Sequence, residues 1–60
     1  MRVGSLVKYK PWYTGAEHTG IVLKTIHKVA AKGIAAVDFV LVMWENELEW
    51  EEVGDLEVIQ

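Results

Sequence analysis

Val37–Trp44 reads VDFVLVMW, and the reading of this stretch decides the fold. Side chains alternate across a strand, so Phe39, Leu41 and Met43 share one side while Val40, Val42 and Trp44 share the other. A sheet with one wet face carries polar residues in one of two such sets. Here neither set is polar. Sixty residues supply no second layer to cover both sides of a sheet. One side is therefore expected to line a core, and the other to be covered by a loop or by another molecule.

Working outward, short runs of strand-forming residues flank this stretch, separated by turn signals at residues 10–20 (Pro11, Gly15, Gly20) and at Gly33. Residues 3–10 read as a first strand, with Val3, Val7 and Tyr9 on one face and Leu6 opposed. Residues 20–27 (GIVLKTIH) read as a second strand, rich in β-branched side chains. The fourth is expected over 48–52 and a fifth over 56–59, after a tight turn at Val53–Asp55. Residues 28–36 (KVAAKGIAA) contain alanines that favour helix. Gly33 costs about 1 kcal/mol there, and so short an isolated helix is marginal in water. An extended hairpin connection is expected instead. Five short strands and a long first loop predict an all-β, five-stranded antiparallel small barrel, whose closure removes sticky edges.

The hairpin after Trp44 admits two registers. A two-residue loop at Asn46 and Glu47 pairs Met43 with Trp50 and puts Phe39, Leu41, Met43, Leu48 and Trp50 inside. A three-residue loop over 45–47 pairs Val42 with Trp50 and puts Val40, Val42, Trp44, Leu48 and Trp50 inside. A slip of one residue reverses the faces of the strand. The second is preferred, because it gathers Trp44, Leu48 and Trp50 into one cluster. In both, three apolar residues of the central strand face outward beside Glu49 and Glu51.

Size and composition point to association. Sixty residues make a single domain, 1–60, near the limit of independent folding. Small domains are commonly stapled by disulfides, metals or oligomerisation. With no cysteine and two histidines nine residues apart, the last remains, so a homo-oligomer is expected and no metal or cofactor is. A 52% hydrophobic content exceeds what so small a core can hide. No run reaches the ~18 apolar residues of a membrane span. Lys8 and Lys10 stand where a signal peptide would be apolar, so a soluble, cytoplasmic protein is expected. Net charge is −3, and the chain is electrically two-ended. Glu45, Glu47, Glu49, Glu51, Glu52, Asp55 and Glu57 crowd the last sixteen residues, whereas every Lys and Arg precedes position 33.

Taken together, VGSLVKYK near the start, TGIVLK after the first loop, VLVMW in the middle and LEWEEVGDLEVI at the end form a pattern. It resembles the small SH3-like barrels related to KOW and Tudor modules, in particular short uncharacterised proteins of tailed bacteriophages. The resemblance spans nearly the whole chain apart from residues 28–36, which look like an insertion. It implies an SH3-like barrel and says far more about fold than about function. Ser5 stands where the pattern usually has an acid, a departure that touches a turn. The chain is also similar in length and outline to the plasmid-borne dihydrofolate reductases. Leu48-Glu49-Trp50-Glu51 replaces their catalytic Val-Gln-Ile-Tyr run, which argues against reductase activity.

Candidate sites are few. Glu45, Glu47, Glu49 and Glu51 alternate along one strand face about 7 Å apart. A flat strand lacks the convergent oxygens of a divalent-cation site, so a solvated face is expected, with Lys8 or Lys24 as cross-strand partners. Trp44 and Trp50 read as core. Trp12 and Tyr13, two large rings in a polar loop, are candidates for partner contact together with Phe39, Leu41 and Met43 on the outward side of the central strand. Lys8, Lys10, Lys24 and Lys28, with Lys32, form an alternative nucleic-acid side with Trp12 and Tyr13 as stacking platforms, although an acidic chain is poorly equipped to neutralise phosphates. Ser5, Thr14, Thr19 and Thr25 have no base-plus-acid partner at local spacing, and His18 and His27 do not read as a catalytic pair. A self-associating interaction module without catalysis is the expected function.

Overall fold

The computed structural model describes residues 1–12, 18–28 and 36–59. Five strands, β1 (Leu6–Tyr9), β2 (Thr19–Lys28), β3 (Val37–Trp44), β4 (Glu47–Glu52) and β5 (Leu56–Val58), form one antiparallel sheet in the order β4-β3-β2-β1-β5. The fold is all-β. The sheet is open, with β4 and β5 at its edges and no ladder joining them among the described residues.

β3 has the expected bounds, and the other strands lie within a few residues of theirs. The first strand is shorter than expected, because Val3 and Gly4 turn: the Ser5 N–H donates to the Arg2 carbonyl at 3.0 Å, and the Arg2 N–H donates to Ser5 Oγ at 3.1 Å. Gly4 sits at φ +93°, which suits glycine far better than a residue with a Cβ. Beyond β4, Val53–Asp55 form one turn of 3₁₀ helix, with the Leu56 N–H donating to the Val53 carbonyl. Lys10 and Ile59 then tie β1 to the returning chain, through N–H bonds to the Asp55 and Leu6 carbonyls at 3.1 and 2.8 Å. Thr25 and its successors up to Lys28 belong to β2. The remainder of the connection (29–35) and of the first loop (13–17) lies outside the described residues.

The core lies on one face of the coiled sheet. Val7, Val22, Val40, Val42, Trp44 and Leu56 are buried, with Tyr9 and Val53 packed against them. Of the two apolar sets in β3, Val40, Val42 and Trp44 therefore face inward. Gly20 permits this packing. A Cβ built on it lies 2.5 Å from Val42 Cγ1, 2.9 Å from Trp44 Cε3 and 3.0 Å from the Met43 carbonyl oxygen. Tyr9 stacks on Trp44, with centroids 4.7 Å apart and planes 15° apart.

The β3–β4 register matches neither expected loop. The turn is Glu45-Asn46, which pairs Trp44 with Glu47, Met43 with Leu48, Val42 with Glu49, Leu41 with Trp50 and Val40 with Glu51. Cross-strand partners share a face. Leu48 and Trp50 thus lie outside with Met43 and Leu41, and the expected core cluster of Trp44, Leu48 and Trp50 does not form. Glu47, Glu49 and Glu51 take the inner side, where Leu48 and Trp50 were expected. The carboxylates lie on the opposite face from Lys24, whose cross-strand partner is Leu41, so Lys24 is not their partner.

Candidate interaction surface

The outer face of β2, β3 and β4 is built in rows. Ile21, Met43 and Leu48 make one row. Lys24, Leu41 and Trp50 make the next, and Ile26, Phe39 and Glu52 the third. A bulge between Val22 and Lys24 adds Leu23 beside the second row. Leu48 is 55% exposed, Trp50 47%, Ile21 44% and Met43 40%, whereas Phe39 and Leu41 are half-buried beneath their neighbours. Ile26, Lys28, Phe39 and Trp50 line a shallow groove of about 330 Å³ on this face, and Lys28 Nζ stands 5.6 Å from the Phe39 ring centre. Among the described residues, this is an apolar surface flanked by cations on β2 and by Glu52 on β4.

The structure thus brings Phe39, Leu41 and Met43 together on one surface and adds Trp50 and Leu48, which the sequence reading had assigned to the core. Trp12 is 72% exposed in the first loop, with Lys10 Nζ 5.6 Å from its ring centre. Tyr13 and Lys32 lie outside the described residues. Lys24 and Lys28 share the outer face; Lys8, opposite in facing to buried Val7, is half-buried between Thr19 and Glu57. Lys10 follows β1 and associates with Trp12 instead.

The inner side of β4 holds a polar arrangement that sequence reasoning missed. Glu51 is half-buried and its Oε2 accepts two hydrogen bonds, from the Tyr9 hydroxyl at 2.5 Å and from the Trp44 indole N–H at 3.1 Å. Those bonds join β1, β3 and β4 across the inside of the sheet. Burial raises the Tyr9 phenol above its ordinary value, reinforced by its bond to Glu51 and by the charges of Glu51, Glu49 and Asp55. The Glu49 carboxyl is also raised, first by loss of surrounding water and then by the like charges of Glu51 and Glu47. The signal available in the sequence was the pairing of Tyr9, Trp44 and an acid of the fourth strand, three groups able to satisfy one another if brought together. Their 42-residue and 7-residue separations hid it. A second shallow hollow, lined by His18, Trp44, Glu45, Asn46 and Glu47, opens beside the β3–β4 turn. His27 sits at the other end of β2, bonded through Nδ1 to the Asp38 carboxylate, so the two histidines are far from being one site.

Compared with protein-family models, with curated proteins and with solved structures, the chain matches none.

Proposed function

We propose that this chain is a small SH3-like interaction module that pairs with a second copy of itself through the outer face of β3, and that it performs no catalysis. The observation that carries this reading is the row of Phe39, Leu41 and Met43 continued by Leu48 and Trp50 on one side and by Ile21 and Ile26 on the other. Contiguous apolar patches of this kind mark interaction sites. The distribution of charge supports a second copy as the occupant. Lys24 and Lys28 lie on the β2 flank, and Glu52 on the β4 flank. A two-fold axis running along the strands lays each flank over the opposite flank of the partner, so cations meet the acid while the apolar rows stack. The single sheet of five antiparallel strands supports the SH3-like reading of the sequence pattern. Closure of that sheet into a barrel is part of the proposal.

Sedimentation tests it. The wild type is expected to run as a dimer at micromolar concentration, and Trp50→Lys and Leu48→Lys as folded monomers with unchanged far-ultraviolet dichroism. A folded wild-type monomer at that concentration overturns the reading. One observation favours a second reading, single-stranded nucleic-acid binding: Lys24 and Lys28 share their face with the Phe39 and Trp50 rings, while the β4 glutamates 47, 49 and 51 point to the other. That reading requires binding to labelled DNA that falls steeply with salt. Self-association requires no such binding.

A further inference from the structure

We infer that the free edge of β4 is a docking site for an extended segment of another protein in which basic residues alternate with apolar ones. It uses the edge of the sheet, not its outer face, and stands independently of the self-association reading. β4 pairs with β3 on one side, and among the described residues no strand pairs with the other. In an antiparallel ladder every second residue turns its N–H and C=O away from its partner strand. A six-residue edge strand therefore presents a line of obligatory hydrogen-bonding groups, long enough to template another strand. The opposite edge, β5, has only three residues and is a much poorer template.

The side chains of β4 state what that strand must carry. Side chains of an added strand continue the rows of the sheet about 5 Å further on. One row continues Glu47, Glu49 and Glu51, and the other continues Leu48 and Trp50. A segment with Lys or Arg at every second position and apolar residues between them satisfies both rows at once. Glu51 is already engaged by Tyr9 and Trp44, so exposed Glu47 and Glu49 are the carboxylates that meet the incoming cations. The same geometry rejects the β4 strand of a second copy. Antiparallel pairing with inner faces aligned sets Glu49 against Glu49 and Glu47 against Glu51, and like charges directly opposite are destabilising. Glu49 already stands beside the like charges of Glu51 and Glu47, a repulsion that a cation relieves and another glutamate row makes worse.

The experiment is a titration of the full chain, followed by tryptophan fluorescence, with an eight-residue capped peptide of alternating lysine and valine. Two comparison peptides have the same composition and charge: one has its four lysines and four valines in blocks, the other has alternate backbone amides N-methylated on its bonding edge. The alternating peptide is expected to bind, and both comparison peptides to bind at least about tenfold more weakly, equivalent to about 1.4 kcal/mol, the block peptide because its side chains miss the two rows and the methylated one because its main-chain bonds are lost. Glu49→Gln, with unchanged dichroism, is expected to weaken the alternating peptide several-fold. Equal binding of all three peptides reduces the attraction to bulk charge and overturns the inference, as does absence of binding by the alternating peptide.

Discussion

Replacing Gly20 by alanine sets two opposing effects against each other, and the structure decides the sign. In an open strand position, Gly→Ala stabilises by about 0.5–1 kcal/mol, because glycine loses the most backbone freedom on folding. At Gly20 the new methyl lies 2.5 Å from Val42 Cγ1 and 2.9 Å from Trp44 Cε3, and 3.0 Å from the Met43 carbonyl oxygen. Val42 is fully buried and Trp44 is held between Tyr9 and Glu51, so neither retreats freely. Overpacking a well-packed core costs about 1–3 kcal/mol, which outweighs the entropy gain and leaves a net loss of about 1–2 kcal/mol. For a domain this small each kcal/mol moves the thermal midpoint by about 4–8 °C, so Gly20→Ala is expected to melt about 5–15 °C lower. Thermal and urea unfolding by tryptophan fluorescence read the change. Val42→Ala removes Cγ1, the nearest clashing atom. The pair Gly20→Ala/Val42→Ala is therefore expected to lose less stability than the two single losses added together. A Gly20→Ala midpoint at or above that of the wild type, or strict additivity in the double variant, refutes the packing described around Gly20.

Three further outcomes follow from the inner side of the sheet and the first turn. Tyr9→Phe deletes a donor to the half-buried Glu51 carboxylate and is expected to cost about 1.5–3 kcal/mol in urea unfolding, the range for hydrogen bonds to charged groups. Because the Tyr9 phenol is raised in the folded state, the stability it contributes is fully present below its unfolded value near ~10 and is lost as pH climbs through the folded value. The alkaline decline in wild-type stability is therefore expected to flatten in Tyr9→Phe. Glu49 is raised as well, so its protonation favours the folded state, and that gain is complete below ~4.5 and lost as pH rises through its folded value. Glu49→Gln is accordingly expected to raise the melting midpoint at pH 7 and to leave it unchanged below about pH 4. Gly4→Ala is expected to lose about 1 kcal/mol, measured by the same unfolding assay, because alanine at φ +93° is strained.

The chain itself disclosed the all-β class, the bounds of β3, the approximate places of the other strands, the turn at Val53–Asp55 and the presence of an apolar face left over from a small core. These follow from alternation and turn chemistry, which are local. Which side of β3 faces inward, and what stands beside it on β4, belonged to the tertiary structure. Two-residue hairpin turns announce themselves in sequence by glycine or asparagine at positive φ. Glu45-Asn46 has no glycine, and neither residue adopts positive φ, so nothing local distinguished this turn from its one-residue shifts. A shift of one residue exchanges Glu49 and Glu51 with Leu48 and Trp50 between the two faces. What settled the matter was long-range: the hollow against Val42 and Trp44 that Gly20 provides, and a Tyr9 hydroxyl and Trp44 indole that need an acceptor inside the sheet and find it in Glu51.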